Sequence, residues 1–422
     1  MAEAYALRGH VLWSGGPEEL HIRPNAYVLC DERGLCAGVF DALPPAWEGA
    51  PVRQLGDCLL LPGYCDMHLH APQYENIGLG MELTLLDWLD RVTYPEEIRF
   101  GEESYARPVY ERLAAELRAG FTTRVAAFSS AHRVGTEILM ECLSRAGLCG
   151  FVGRVNMDRN APDGLRDKSA EASIRDTAAW LRESAGRYPR IRPILTPRFV
   201  PSCSEALMEG LGVLRRELQL PLQSHLGESP EEIAWVRQLC PRDESYAAVY
   251  ARHGMLGPDT LMAHCVYLTE AECTLMKKSG AYVVHCPGSN ANVRSGIAPI
   301  RRYLDRGMNI ALGSDISGGH SLDMADAVRE ALSASRLLWR LGEEKLPPLT
   351  AREAFYLATA GGGAFFGKAG RFEPGYAFDA VAVDDAPWRA PGDDLEARFQ
   401  KMIYRAHGGD VTAKYVAGEM LF

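Results

Sequence analysis

Residues 64–78 read YCDMHLHAPQYENIG, directly after the turn signal Leu61-Pro62-Gly63. Side chains at i and i+2 of a β-strand point to the same side. A strand over 64–70 therefore projects His68 and His70 together and turns Leu69 the other way. Two neutral imidazoles converging on one point suit a borderline cation such as zinc. The same spacing also occurs in histidines satisfied by backbone groups on a wet strand, so the dipeptide alone leaves both roles open.

From Gly63 onward, short apolar strands alternate with amphipathic stretches. The strands fall at 64–70, 121–128, 150–157, 192–196, 221–226, 260–264, 281–285 and 309–315. Between them lie helical runs such as YARPVYERLAAELRA, SEALMEGLGVLRREL and DMADAVREALSASRLLWRL. Eight strands, each followed by a connection long enough for a helix, predict an α/β fold: a (β/α)8 TIM-like barrel over residues 63–366. Strand-like runs also precede it (HVLW, AYVLCD, LCAGVF) and return after Phe366 (FDAVAVDD, TAKYVAGEML). The two chain ends, 1–62 plus 367–422, are expected to form one small composite β domain, a β-sandwich beside the barrel.

Composition narrows the class. The chain has 422 residues, 47% of them hydrophobic, and a formal net charge of −10 from 45 Lys+Arg against 55 Asp+Glu. An acidic chain without a basic block is a poor partner for nucleic acid. No apolar run is long enough to span a membrane, and MAEAYALRGHVLWSGG has neither the basic leader nor the apolar core of a signal peptide. Eleven cysteines are scattered without a C-x-x-C pair, which fits reduced thiols rather than a disulfide frame. The expectation is a cytoplasmic protein that acts on a small molecule.

Barrel enzymes place their chemistry at the C-terminal ends of the strands. His68 and His70 end the first strand, His225 the fifth (QSHLGES), His264 the sixth (MAHC), His285 the seventh (VVHCPGSN) and Asp315 the eighth (LGSD). Three neutral histidines and one carboxylate can hold a single Zn²⁺, with water completing the shell. Glu228 follows His225 by three residues, close enough to reach that water without being a ligand.

Six segments carry a wider likeness: PGYCDMHLHAPQY (62–74), TPRFVPSCS (196–204), SHLGES (224–229), MAHCVYL (262–268), HCPGSN (285–290) and GSDISGGHSLDM (313–324). With them the chain resembles the amidohydrolase superfamily over nearly its whole length, and within it the branch that deaminates guanine. The resemblance implies one Zn²⁺ per chain held by His68, His70, His225 and Asp315. Members with two metals usually carry a bridging lysine at the end of the fourth strand; here Thr196 to Arg198 stand there, without a lysine nearby. It implies Glu228 as proton shuttle, Asp315 as acceptor of the water's proton, and His264 as the group that orients the attacking oxygen. Gln73, Arg198 and Phe199 would hold the purine, with His225, His264 and Asp315 also touching it. Guanine offers O6 and N7 as paired acceptors, which suit the fork of an arginine, and a glutamine amide both gives and accepts. The implied assembly is a homodimer.

Plainer roles stay open at this point. Glu228 opens the acidic stretch ESPEE and would suit a helix N-terminus. Arg198 fits a loop salt bridge, and Gln73, His264 and His285 fit structural hydrogen bonding. His320 stands where the family more often shows an aromatic. Two other functions compete: a related hydrolase acting on a triazine, an adenosine derivative or an oxidised purine, and a metal-free barrel serving as a binding scaffold.

Overall fold

The computed structural model describes residues 3–342 and 346–422. Four parallel strands, Tyr64–His70, Thr122–Phe128, Cys149–Gly153 and Ile191–Pro193, form one sheet in that order. Leu222–Leu226, Thr260–His264, Tyr282–His285 and Asn309–Leu312 form a second parallel sheet. A short parallel pair, Val155–Asn156 with Thr196–Pro197, lies between them, and Leu195 bridges to Leu222. At the opposite edges, Asp315 N donates to His68 O (2.8 Å) and His70 N donates to Ile316 O (3.0 Å).

Helices follow the strands as the periodicity predicts, among them Glu103–Ala119, Arg133–Arg145, Glu205–Leu218 and Met324–Leu341. Covered on the outer side by helices, the strands Tyr64–His70 and Thr122–Phe128 are buried at every residue. This is why they read as continuous runs rather than as apolar–polar alternation. The expected strands 150–157 and 192–196 each appear in two pieces. Pro193 and Pro197 end the pieces of the latter, because proline has no N–H to give to a ladder. The expected strand 309–315 stops at Leu312. A Cβ on Gly313 would stand 2.8 Å from His68 Cβ and 3.0 Å from its backbone N and O, so the chain passes His68 as closely as glycine allows and then turns.

The chain ends do combine, but into one seven-stranded sheet rather than two facing ones. Its order runs Glu419–Met420, Val411–Val416, Ala380–Val383, Val52–Pro62, Tyr5–Ser14, Leu20–Cys30, Cys36–Phe40. Tyr5 and Tyr415 lie three strand spacings apart in this order, roughly 14 Å in a flat sheet. Their ring centroids are 5.7 Å apart, so the sheet curls over on itself and encloses Leu7, Val11, Val28, Leu60 and Phe378. Register shifts between Arg8 and His10 and between Gly9 and Val11 supply the bend. Two buried basic side chains fasten this sheet to the α/β body. Lys414 Nζ donates to the carbonyls of Leu117, Arg118 and Gly120 (2.8, 3.1 and 2.9 Å) at the end of the helix Glu103–Ala119. Arg124 pairs with Asp379 at 2.5 Å. Among the described residues no helix is long and apolar enough to cross a membrane.

Candidate active site

The four predicted metal ligands converge at one end of the parallel strands. His70 Nε2 stands 3.0 Å from His225 Nε2, and Asp315 Oδ1 stands 3.2 Å from His68 Nε2 and 3.7 Å from His70 Nε2. All four side chains are buried, with exposures of 2% to 7%. Candidate ligand atoms of His68, His70 and Asp315, and of His68, His225 and His264, fall within 4.8 Å of one another. Two atoms bound to one zinc at about 2.0–2.1 Å each stand roughly 3.0–3.4 Å apart, so the spacing suits a shared ion.

The protonation pattern suits it too. His225 Nδ1 donates to Arg198 O (2.6 Å), which fixes the tautomer and leaves the Nε2 lone pair facing the cluster. His68 Nε2 is buried without a hydrogen-bond partner among the described residues, an expensive position for a polar atom unless a ligand meets it. Burial, and then the neighbouring imidazoles, hold His68, His70 and His225 well below the usual histidine range, in the neutral form that metals need.

Around the cluster sit the proton-handling groups. Glu228 Oε2 lies 3.3 Å from His264 Nε2, and Ser295 Oγ donates to Glu228 Oε1 (3.1 Å). Burial, then the Asp315 charge, push Glu228 up to about 8. The same burial raises Asp315 to about 6. His264 Nδ1 donates to Asn290 Oδ1 (2.9 Å), turning Nε2 toward Glu228 and toward Asp315 Oδ2 at 3.7 Å. His264 and Asp315 are both left-handed, at φ 72° and 49°. A residue with a Cβ pays roughly 1–2 kcal/mol for that conformation. Both side chains project into the pocket from these turns.

Glu228 is not the helix-opening glutamate that ESPEE suggests. Ser229 caps the helix Pro230–Leu239 by accepting from Glu232 N, and Glu228 lies before that cap, lining the pocket. Asp66, two residues before His68, ties the two halves of the ligand set together. Its Oδ2 accepts from Ser314 Oγ (2.5 Å) and its Oδ1 from Ser314 N (3.0 Å) and His68 N (3.3 Å).

Leu85, Trp88, Leu89, Phe199 and Val293 form the apolar wall of the pocket beside this cluster. Gln73 and Arg198 line it. Both are tied to Glu97, which is fully buried: Gln73 Nε2 donates to Glu97 Oε1 and Arg198 Nη1 to Glu97 Oε2, each at 2.7 Å. Gln73 Oε1 accepts from Ser317 N (3.2 Å). Arg198 thus does form a salt bridge, but a buried one at the pocket wall. Phe199 packs edge-on against Trp235 at 6.2 Å, and its carbonyl accepts from Ser202 N.

Two histidines stay out. His285 is buried but does not line the pocket or share a ligand group, and burial pushes it down to about 3. His320 is half-exposed, with Nε2 3.2 Å from Glu330 Oε1. The residues that sequence reasoning missed are Glu97, Asp66, Asn290, Ser295 and, in the apolar wall, Leu85, Trp88, Leu89 and Val293. Only Asp66 had a signal, since alternation places it on the same strand face as His68 and His70. Glu97 lies in YPEE, indistinguishable in sequence from an ordinary acidic helix start.

Residues 59–421 match the model of the amidohydrolase family, and the chain belongs to that family. Within it, similar curated relatives are the guanine deaminases of Dictyostelium discoideum (37% identical, covering 89% of this chain and 85% of the relative) and Mus musculus (36%, covering 86% and 82%). The crystal structure of guanine deaminase from C. acetobutylicum with guanine bound in its active site superimposes with a TM-score of 0.96 at 38% identity, covering 99% of this chain and all of that one.

Proposed function

We propose that this chain catalyses the hydrolytic deamination of guanine to xanthine and ammonia, with one zinc ion per chain held by His68, His70, His225 and Asp315. The observation that carries the proposal is the pocket that Gln73 and Arg198 line together with His70, His225, His264 and Asp315. The guanine-bound relative at 38% identity supports the choice of substrate. A zinc ion so held supplies an activated water near neutral pH.

The remaining chemistry belongs to the chain. Asp315 accepts the proton of the attacking water, and its Oδ2 lies on the His264 side to receive it. His264, braced by Asn290, orients the oxygen as it adds to C2 of the purine. Glu228, whose carboxyl burial pushes toward the protonated form, gives its proton to the ring nitrogen beside C2. It then takes the proton gathered by Asp315 and passes it to the departing amine, and the proton left on the new C2 oxygen returns to Glu228 as the carbonyl forms and ammonia leaves. Arg198 meets the 6-oxo and N7 acceptors, Gln73 offers both a donor and an acceptor, and Phe199 packs at the ring's edge. The apolar cover of Leu85, Trp88 and Leu89 keeps bulk water away.

The proposal extends to architecture. Parallel pairing within both sheets, the Leu195–Leu222 bridge and the bonds at His68 and His70 support a closed (β/α)8 barrel over 63–366, with 1–62 plus 367–422 as a composite β domain. Eleven unpaired cysteines favour a reducing, cytoplasmic setting. Exposed Leu337 and Leu341 on one helix favour a homodimer. The test is ammonia release from guanine, adenine, cytosine, 8-oxoguanine and aminotriazines by purified protein. A clear preference for guanine is expected, and a preference for any other ring overturns the assignment.

A further inference from the structure

We infer that Glu97 is a positioning residue that sets substrate selectivity by holding Gln73 and Arg198 in their recognition geometry. The inference rests on the guanine reading above. Glu97 is fully buried and its two oxygens are divided between the two recognition side chains, at 2.7 Å each. A carboxylate only accepts hydrogen bonds. Gln73 must therefore turn its Nε2 toward Glu97, and Oε1 is directed to the Ser317 N–H. One carboxylate thus fixes which face of the Gln73 amide donates and which accepts. It also takes one arm of the Arg198 fork, Nη1, and neutralises a guanidinium that would otherwise stand buried and unpaired beside a neutral ring.

The local fold supports this role. Glu97 and Tyr94 are three residues apart on the short helix Tyr94–Ile98, hence on one face. The Tyr94 ring lies 5.1 Å from the Arg198 guanidinium carbon, so one helical turn buttresses Arg198 with both an anion and an aromatic face. That turn directly continues the segment bearing Leu85, Trp88 and Leu89, which closes the pocket. Closure over the ring and ordering of the groups that read it are built on one continuous piece of chain.

The test uses Glu97→Gln and Glu97→Asp in the metal-loaded enzyme, with kcat/KM measured for guanine and for 2-aminopurine, which keeps the 2-amino group and lacks the 6-oxo group. The two partners meet different oxygens of Glu97, and a glutamine there replaces one of them with an NH₂ group, so a donor then faces either the Gln73 amide or the Arg198 guanidinium. In Glu97→Gln, kcat/KM for guanine is expected to fall at least tenfold and 2-aminopurine far less, so the guanine preference contracts. Glu97→Asp keeps both acceptors on a shorter stem and is expected to give an intermediate preference. Metal content should match wild type in both. A purely structural Glu97 would lower both purines by the same factor, in step with melting temperature; an unchanged preference in either variant overturns the inference, and Glu97→Asp carries the test alone if Glu97→Gln does not fold. Failure of wild type on guanine would instead overturn the proposed function, and this inference with it.

Discussion

Glu228→Gln is expected to make the metal-free protein more stable while removing most of its activity, with the gain in stability growing as pH rises. The native environment raises the Glu228 carboxyl to about 8, chiefly by burial and then by the Asp315 charge. In the unfolded chain it returns to its ordinary value of 4.5. Between those values the native state holds a proton that the unfolded state has lost. Unfolding then releases a proton, so stability falls as pH rises from about 4.5 to about 8 and is level beyond. At roughly 1.4 kcal/mol per unit the full penalty is on the order of a few kcal/mol. Glutamine resembles the protonated form: its oxygen can accept from Ser295 Oγ and its NH₂ can donate to His264 Nε2, replacing contacts now at 3.1 and 3.3 Å. Glu232, which accepts from the Glu228 N–H at 2.8 Å and is itself raised to about 7 by burial and the Glu228 charge, gains as well. The assay is thermal melting of both chelator-treated proteins at pH 5 and pH 8.5. Near-equal melting points at pH 5 and a higher one for the variant at pH 8.5 are expected, with turnover of the zinc-loaded variant down about a hundred- to ten-thousand-fold. A variant equally or less stable at both pH values, or one retaining turnover, would refute the assignment of Glu228 as a buried proton carrier.

Arg198→Met should narrow the preference for guanine over 2-aminopurine, since a site built to bond a substrate oxygen can reject an analogue lacking it by about four to five orders of magnitude. It strands Glu97 in a buried site and should also cost about 3–5 kcal/mol of stability, read from chemical denaturation; an undiminished preference would place selectivity elsewhere. Chelation should abolish turnover, and zinc at a hundred times its dissociation constant should restore about 2.7 kcal/mol of stability. Elemental analysis should find one equivalent per active chain, and two would refute the single-ion site. Gly313→Ala drives a Cβ against His68 Cβ and backbone at 2.8 to 3.0 Å, and none of these atoms is the free end of a flexible side chain. It should weaken zinc retention on dialysis; full retention would mean that the Asp315 loop can shift without disturbing His68.

The order of strands and helices was legible in the sequence, because apolar periodicity and Pro-Gly punctuation act over a few residues. The sequence by itself also determined His68 and His70 as a pair, because strand alternation is a local rule. His225, His264 and Asp315 were legible once strand ends were located, since a parallel α/β fold collects such ends on one side. Tertiary structure alone decided what those residues meet. Gln73, Glu97 and Arg198 are separated by 24 and 101 positions, and no local pattern tells a carboxylate that orders a binding pocket from one that opens a helix. The same holds for Asp66 with Ser314, 248 residues apart. The raised Glu228 carboxyl likewise comes from burial by distant segments, and burial depends on the packed whole. Local chemistry writes the strand and its histidines; which charge is desolvated, and by whom it is met, is fixed only when the chain closes around it.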